Sequence, residues 1–423
     1  MTKKHDHTVI HKTTLWRGRE DATEPDMSVR LEHGKITEIT ASSEIVIPED
    51  AQVVDGTGTT TTPGLCDVHV HLTTNSDFNH VVDNATYRGL VPGSEKLLHG
   101  IRNGLRALTC GVTTLRVMGH RESGDVQLAD FIERGLLPGP RLLVAPWVMS
   151  MTGGRGDLFY PAELPRQEFD TADGVEECRK VVRLQRKLGA HFIKLTASAG
   201  LLSAGDKVHW SNYTVEEMKA IVQEAHDYDL KVAAHAHATK GIKRALEAGV
   251  DTLEHGSFLD DECIEMMQKQ GTFLVPTLLI VDWIARNGAK TGVRADGLEK
   301  LEAARQLQRA SIEKAIDAGV KIAMGTDSSG TLCPFGNHGR EIELYVELGM
   351  SPAAALASAT SVAAEALGME DQIGMLDVGK DADIVVFREN PLEDISVLTR
   401  DGAIQAVFKS GIDVTNPWPA VWL

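Results

Sequence analysis

The chain has 423 residues, a 42% hydrophobic fraction and a formal charge of −17, so it can bury a large core, while nucleic acid or an anionic membrane would repel it at long range. No stretch approaches the ~20 uninterrupted apolar residues of a membrane span, and Met1–Arg17 lacks the apolar core of a signal peptide, which makes a cytoplasmic protein the expectation. The five cysteines (Cys66, Cys110, Cys178, Cys263, Cys333) are scattered without a C-x-x-C pair, an argument against a disulfide framework or a zinc ribbon.

In chain order, short strands and Gly-containing turns come first: Thr8–Ile10, Thr14–Trp16, Val29–Glu32, Ile36–Ile39 and Val53–Asp55. From Gly64 apolar runs alternate with amphipathic stretches. Strands are predicted over Val112–Val117, Arg141–Ala145, Phe192–Leu195, Lys231–Ala234, Thr252–Leu253, Phe273–Val275 and Lys321–Met324. Helices are predicted over Ser94–Thr109, Gln127–Arg134, Val175–Leu188, Val215–Tyr228, Lys240–Ala248, Glu262–Gln270, Gly297–Ala318 and Gly339–Leu348. The alternation implies βαβ units, and about eight of them favour a (β/α)8 TIM barrel over an open sheet. Beyond Ala359 the helical pattern fades, and Ile384–Phe387 and Ala403–Val407 read as strands again. Both ends are expected to pair as one small β-sandwich domain (1–62 plus 373–423) beside an α/β barrel over 63–372.

His69-Val70-His71 places two imidazoles on one face of a strand. His235-Ala236-His237, His255 and Asp327 each end another apolar run, where barrel enzymes keep their active sites. Lys194 lies inside Phe192-Ile193-Lys194-Leu195, and a lysine on a buried strand costs several kcal/mol unless it is paired or neutral. Either its stem covers apolar surface, or its neutral amine has taken up CO₂ as a carbamate that bridges two cations.

Together these residues resemble the amidohydrolase superfamily. Val54-Asp55-Gly56 through Pro63-Gly64-Leu65-Cys66-Asp67-Val68-His69-Val70-His71 is similar to its opening motif, and Ile373–Phe387 looks like its return to the small domain. The resemblance implies two divalent metal ions, one held by His69, His71 and Asp327 and the other by His235 and His255, with carboxylated Lys194 between them. Imidazole and carboxylate ligands point first to zinc, with manganese, cobalt or iron as alternatives. A water bridging the two ions would attack an amide carbonyl as hydroxide, with Asp327 as base and then acid.

Thr152-Gly153-Gly154-Arg155-Gly156-Asp157, Tyr213 ahead of Glu216-Glu217, and His235-Ala236-His237 look like the carboxypeptidase-type branch of Xaa-Pro and Xaa-Arg/Lys dipeptidases, which includes ochratoxin-hydrolysing amidohydrolases. By that likeness Tyr213 and His237 contact a substrate carboxylate. Arg155 stands where the branch has histidine, and could grip the carboxylate as a bidentate fork or pair with Asp157. The implied partner is a dipeptide or other small molecule with a carboxylate, bound by a homo-oligomer. Two alternatives stay open, a cyclic-amide hydrolase or deaminase of the imidazolonepropionase type and a non-catalytic structural relative; Lys194 favours the binuclear reading. His338 is expected in a pocket loop, Cys333 as a bystander, and His120 as a pocket wall.

Overall fold

A computed structural model describes residues 7–19, 21–77, 91–119, 124–155, 157, 171–200, 207, 209–288 and 295–416. The described chain opens on β1 (His7–Leu15), β2 (Glu24–Glu32), β3 (Lys35–Ala41), β4 (Gln52–Asp55) and β5 (Thr60–Pro63). The alternating part follows as β6 (Leu65–Val70), α1 (Gly93–Thr109), β7 (Val112–Val117), α2 (Gly124–Glu133), β8 (Arg141–Val144), β9 (Val148–Met149), α3 (Val175–Lys187), β10 (Phe192–Thr196), α4 (Val215–His226), β11 (Lys231–Ala236), α5 (Thr239–Ala248), β12 (Thr252–His255), α6 (Asp261–Gln270) and β13 (Phe273–Val275). Then come α7 (Leu278–Asn287), α8 (Ala295–Asp317), α9 (His338–Glu347), α10 (Pro352–Ser358), α11 (Ser361–Leu367), β14 (Ile384–Phe387), β15 (Ile404–Lys409) and β16 (Ile412–Asp413).

Local chemistry sets several of these boundaries. Thr214 and Glu217 form a reciprocal capping box at the start of α4, and Asp260 caps α6, which ends on left-handed Gly271. Every residue of β6, β7 and β10 is buried, as expected of parallel strands covered on both faces. These strands form a three-stranded sheet, β6-β7-β8, and a five-stranded one, β13-β12-β11-β10-β9.

The predicted strand Lys321–Met324 does not form as one. Its segment instead bridges the two sheets: Leu274 N–H donates to Lys321 O at 2.9 Å, Val68 N–H to Met324 O at 2.9 Å, and Asp327 N–H to His69 O at 2.8 Å. Gly325 permits this close approach, since a Cβ there would lie 2.7 Å from His69 Cβ. Across the other gap His191 N–H donates to Val144 O at 2.9 Å. The described strands thus pair as two parallel sheets whose edges these bonds link, where the sequence predicts a single barrel of eight strands.

The two ends of the chain do meet. Their strands join one sheet, β16-β15-β14-β5-β1-β2-β3 with β4 also on β1, and β14 runs antiparallel to β5 from Ile384↔Pro63 to Phe387↔Thr60. Within this shared ladder β1 pairs with β4 along Thr8–His11 and with β5 at Thr14–Leu15. Residue Lys12, at φ 62°, lies in a register break between Ile10 and Thr13, so what reads as two strands is one bulged strand. Arg141 ties this sheet to the parallel layer, donating to Asp381 at 2.8 Å and Asp383 at 2.5 Å. No helix among the described residues is long and apolar enough to cross a membrane.

Candidate metal centre

The ends of β6, β11 and β12 and the 326–328 segment deliver a cluster of imidazoles and one carboxylate. The donor atoms of His235, His237 and His255 lie within 4.8 Å of one another, as do those of His69, His255 and Asp327. His71 Nε2 stands 3.2 Å and His69 Nε2 3.7 Å from Asp327 Oδ1. His255 belongs to both groups, and His237 is stacked on it with ring centroids 4.6 Å apart. Both His255 (φ 72°) and Asp327 (φ 54°) adopt the left-handed backbone region, an uncommon state for non-glycine residues that gathers at functional sites.

A second layer of polar groups fixes the ring orientations. His69 Nδ1 meets Glu254 Oε2 at 2.5 Å, His237 Nδ1 meets Ser257 Oγ at 2.8 Å, and His255 Nδ1 meets Thr277 Oγ1 at 2.7 Å. In each ring Nδ1 is engaged and Nε2 is left for the centre, the arrangement that metal-ligating histidines require. Glu254 is held in turn by Arg116 Nη2 at 2.8 Å, while Arg116 Nε donates to Val68 O at 2.6 Å. Burial alone would raise Glu254, but Arg116, Lys194 and His69 outweigh it and bring the carboxyl down to about 2.

The electrostatics suit cations. Burial, reinforced by Arg155 and neighbouring imidazoles, pulls His235 well below its usual range; burial and the imidazoles of His237 and His69 do the same to His255. Burial and Arg155 bring His237 to about 3. All three are neutral at neutral pH, the form that binds metal. Burial opposes ionisation of Asp327, yet its bond to His71 and the charge of His69 hold it below the ordinary carboxylate range. Lys194 is 3% exposed, its Nζ has no hydrogen-bond partner, and burial pushes it down to about 7. Imidazole Nε2 atoms, a carboxylate and an orphaned near-neutral amine together form a donor set that fits divalent cations.

The substrate-contact residues fare differently. Arg155 reaches the cluster, with Nη1 at 2.5 and 2.7 Å from the ring nitrogens of His235, and Asp157 accepts the Gly153 N–H at 2.7 Å. The hydroxyl of Tyr213 is buried without a hydrogen-bond partner. After burial itself, the groups that raise its pKa are Cys178, Glu217, Asp173 and Glu177 around the starts of α3 and α4. Tyr213 thus lies beside the starts of α3 and α4. The preceding residue is anchored, Asn212 Nδ2 donating to Thr196 Oγ1 at 2.9 Å. His338 is no loop residue but the buried first residue of α9. Cys333 is buried with its thiol pushed well up, which leaves it inert. His120 lies outside the described residues.

Sequence reasoning passed over Glu254 and Arg116. The signal was the one that singled out Lys194, a charged residue inside a buried strand, in Thr252-Leu253-Glu254-His255 and Val112-Thr113-Thr114-Leu115-Arg116-Val117.

Parallel α/β architecture with histidines and an aspartate gathered at strand ends defines a metal-competent α/β protein. The chain belongs to the amidohydrolase family, whose model matches residues 60–412. It is 33% identical to ochratoxinase from Aspergillus niger over 379 residues, covering 85% of this chain and 76% of that protein. It is 25% identical to imidazolonepropionase from a Geobacillus species, over 85% of this chain and 83% of the relative. Among solved structures, a prolidase complexed with N-methylphosphonate-L-proline superposes with a TM-score of 0.88 at 31% identity, covering 96% of this chain and 99% of that one. Membership of this family, with such relatives, makes the protein a hydrolase acting on C–N bonds.

Proposed function

We propose that the protein is a metal-dependent amidohydrolase of the carboxypeptidase type, cleaving the amide bond to a C-terminal amino acid in a dipeptide, an N-acyl amino acid or an ochratoxin A-type substrate. The observation that carries this reading is Lys194: a buried amine without a hydrogen-bond partner, close enough to His235, His237 and His255 to lower their pKa values. Its neutral form is the one that adds CO₂, and the resulting carbamate supplies the anionic ligand that neutral imidazoles lack. His69, His71 and Asp327 would hold one divalent ion and His235 and His255 the other, with carboxylated Lys194 shared; zinc suits these ligands.

When bound, the cations supply polarisation of the amide carbonyl and a lowered pKa for water. Asp327 takes the proton released by the attacking water and returns it to the leaving nitrogen. Tyr213, His237 and Arg155 grip the carboxylate of the leaving amino acid and so align the scissile bond. In this reading residues 63–372 form the catalytic (β/α)8 barrel of a cytoplasmic homo-oligomer, and 1–62 with 373–423 form the small domain. The relatives that support it are an ochratoxinase and a prolidase bound to a proline phosphonate.

The test combines metal analysis with a hydrolysis screen of dipeptides and N-acyl amino acids bearing free or amidated C-termini. Bound transition metal, cleavage of free acids over amides, and loss of turnover in Asp327→Asn are expected. Protein free of such metals, together with full hydrolysis by Asp327→Asn, would sink the proposal.

A further inference from the structure

Helix α9 touches both halves of the centre from behind. Its first residue, His338, is buried and places Nδ1 2.8 Å from Asp67 Oδ2. The same Asp67 carboxylate accepts from His69 N–H at 3.0 Å, Thr326 N–H at 3.1 Å and Thr326 Oγ1 at 2.6 Å. It therefore ties the backbone of His69 to that of the residue preceding Asp327. One turn further along α9, on the same face, buried Glu341 accepts from Leu278 N–H at 2.9 Å and Leu279 N–H at 2.5 Å.

That second contact has an unusual consequence for Thr277. As the residue before α7, its hydroxyl would ordinarily cap the helix. Thr277 makes no such bond and sits in the left-handed region at φ 51°. Glu341 supplies the cap instead, and the freed hydroxyl holds His255 Nδ1 at 2.7 Å.

We propose that His338 and Glu341 are positioning residues that lock the two ligand groups to a single helix face: His338 acts through Asp67 on His69 and Asp327, and Glu341 acts through Thr277 on His255. The proposal rests on the metal reading given above. It extends that reading from the ligands to the element that sets their spacing.

Titration of apo-protein with Co²⁺, followed by its visible absorption, tests it without relying on turnover. In Glu341→Ala, Co²⁺ affinity is expected to fall about 10- to 100-fold, with a changed ligand-field spectrum. Turnover in that variant drops through kcat while KM is held. Glu341→Gln keeps one acceptor oxygen and recovers much of both. Thr277→Val removes the hydroxyl yet leaves Glu341 on the helix start, and reproduces the altered spectrum. A folded Glu341→Ala protein with unchanged Co²⁺ affinity and spectrum overturns the proposal. Should that variant fail to fold, an unchanged spectrum in Thr277→Val overturns it equally. If the unaltered protein takes up no Co²⁺, the metal reading falls as well, which separates the two failures.

Discussion

His69 Nδ1 lies 2.5 Å from Glu254 Oε2, with both side chains almost wholly buried. Because the other oxygen of Glu254 is engaged by Arg116, the ring is fixed with Nε2 toward Asp327. Glu254→Gln is expected to weaken metal binding about 10- to 100-fold, read by chelator competition. Arg116→Met leaves Glu254 buried without its cation and is expected to cost about 3–5 kcal/mol in urea unfolding. Unchanged stability in that variant would show that the pair is not what holds the strand ends.

Lys194→Ala removes the one lysine amine that, among the described residues, couples to the histidine cluster and can become a carbamate. Metal content is expected to fall from about two ions per chain to one or fewer, and amide hydrolysis to be lost. Loading the unaltered protein in CO₂-depleted buffer should lower its metal uptake likewise, and equal uptake with and without CO₂ counts against the carbamate.

Arg155 brings the one guanidinium found against His235 among the described residues. Arg155→Ala is expected to raise KM for free-acid substrates about tenfold, equivalent to about 1.4 kcal/mol, with little change for amidated ones. A uniform loss on both substrates would assign the arginine to the metal centre instead.

Burial raises Glu341 from an ordinary 4.5 to about 8. Between those values the folded protein keeps a proton that the unfolded chain gives up. The stability this provides is complete below pH 4.5 and is lost as pH rises through 8. Urea unfolding of the metal-free protein should therefore show the unaltered chain losing ground to Glu341→Gln as pH increases across this window. Parallel pH profiles for the two proteins would remove Glu341 as the cause.

The clustered histidines and Asp327 could be read from sequence because they stand at or just past the ends of apolar runs, where the strand pleat turns alternate side chains to one face. Glu254 could not be placed by alternation, which puts neighbours on opposite faces. Left-handed His255 (φ 72°) breaks the pleat, and both residues enter the cluster. Histidine is among the types enriched in that backbone state, but glycine alone adopts it freely. Helices α10 and α11 escaped notice because Pro352–Ser358 and Ser361–Leu367 are alanine-rich and largely buried, and so show no polar stripe for periodicity to find.

The antiparallel pairing of β5 with β14 also dictates when the molecule can be finished. During synthesis β5 (Thr60–Pro63) emerges long before β14 (Ile384–Phe387), the strand that will cover its free side. Until then β5 is an open sheet edge on a partly folded chain, the kind of surface through which nascent proteins aggregate. The closing strands thus act as a late clasp whose arrival ends that vulnerability.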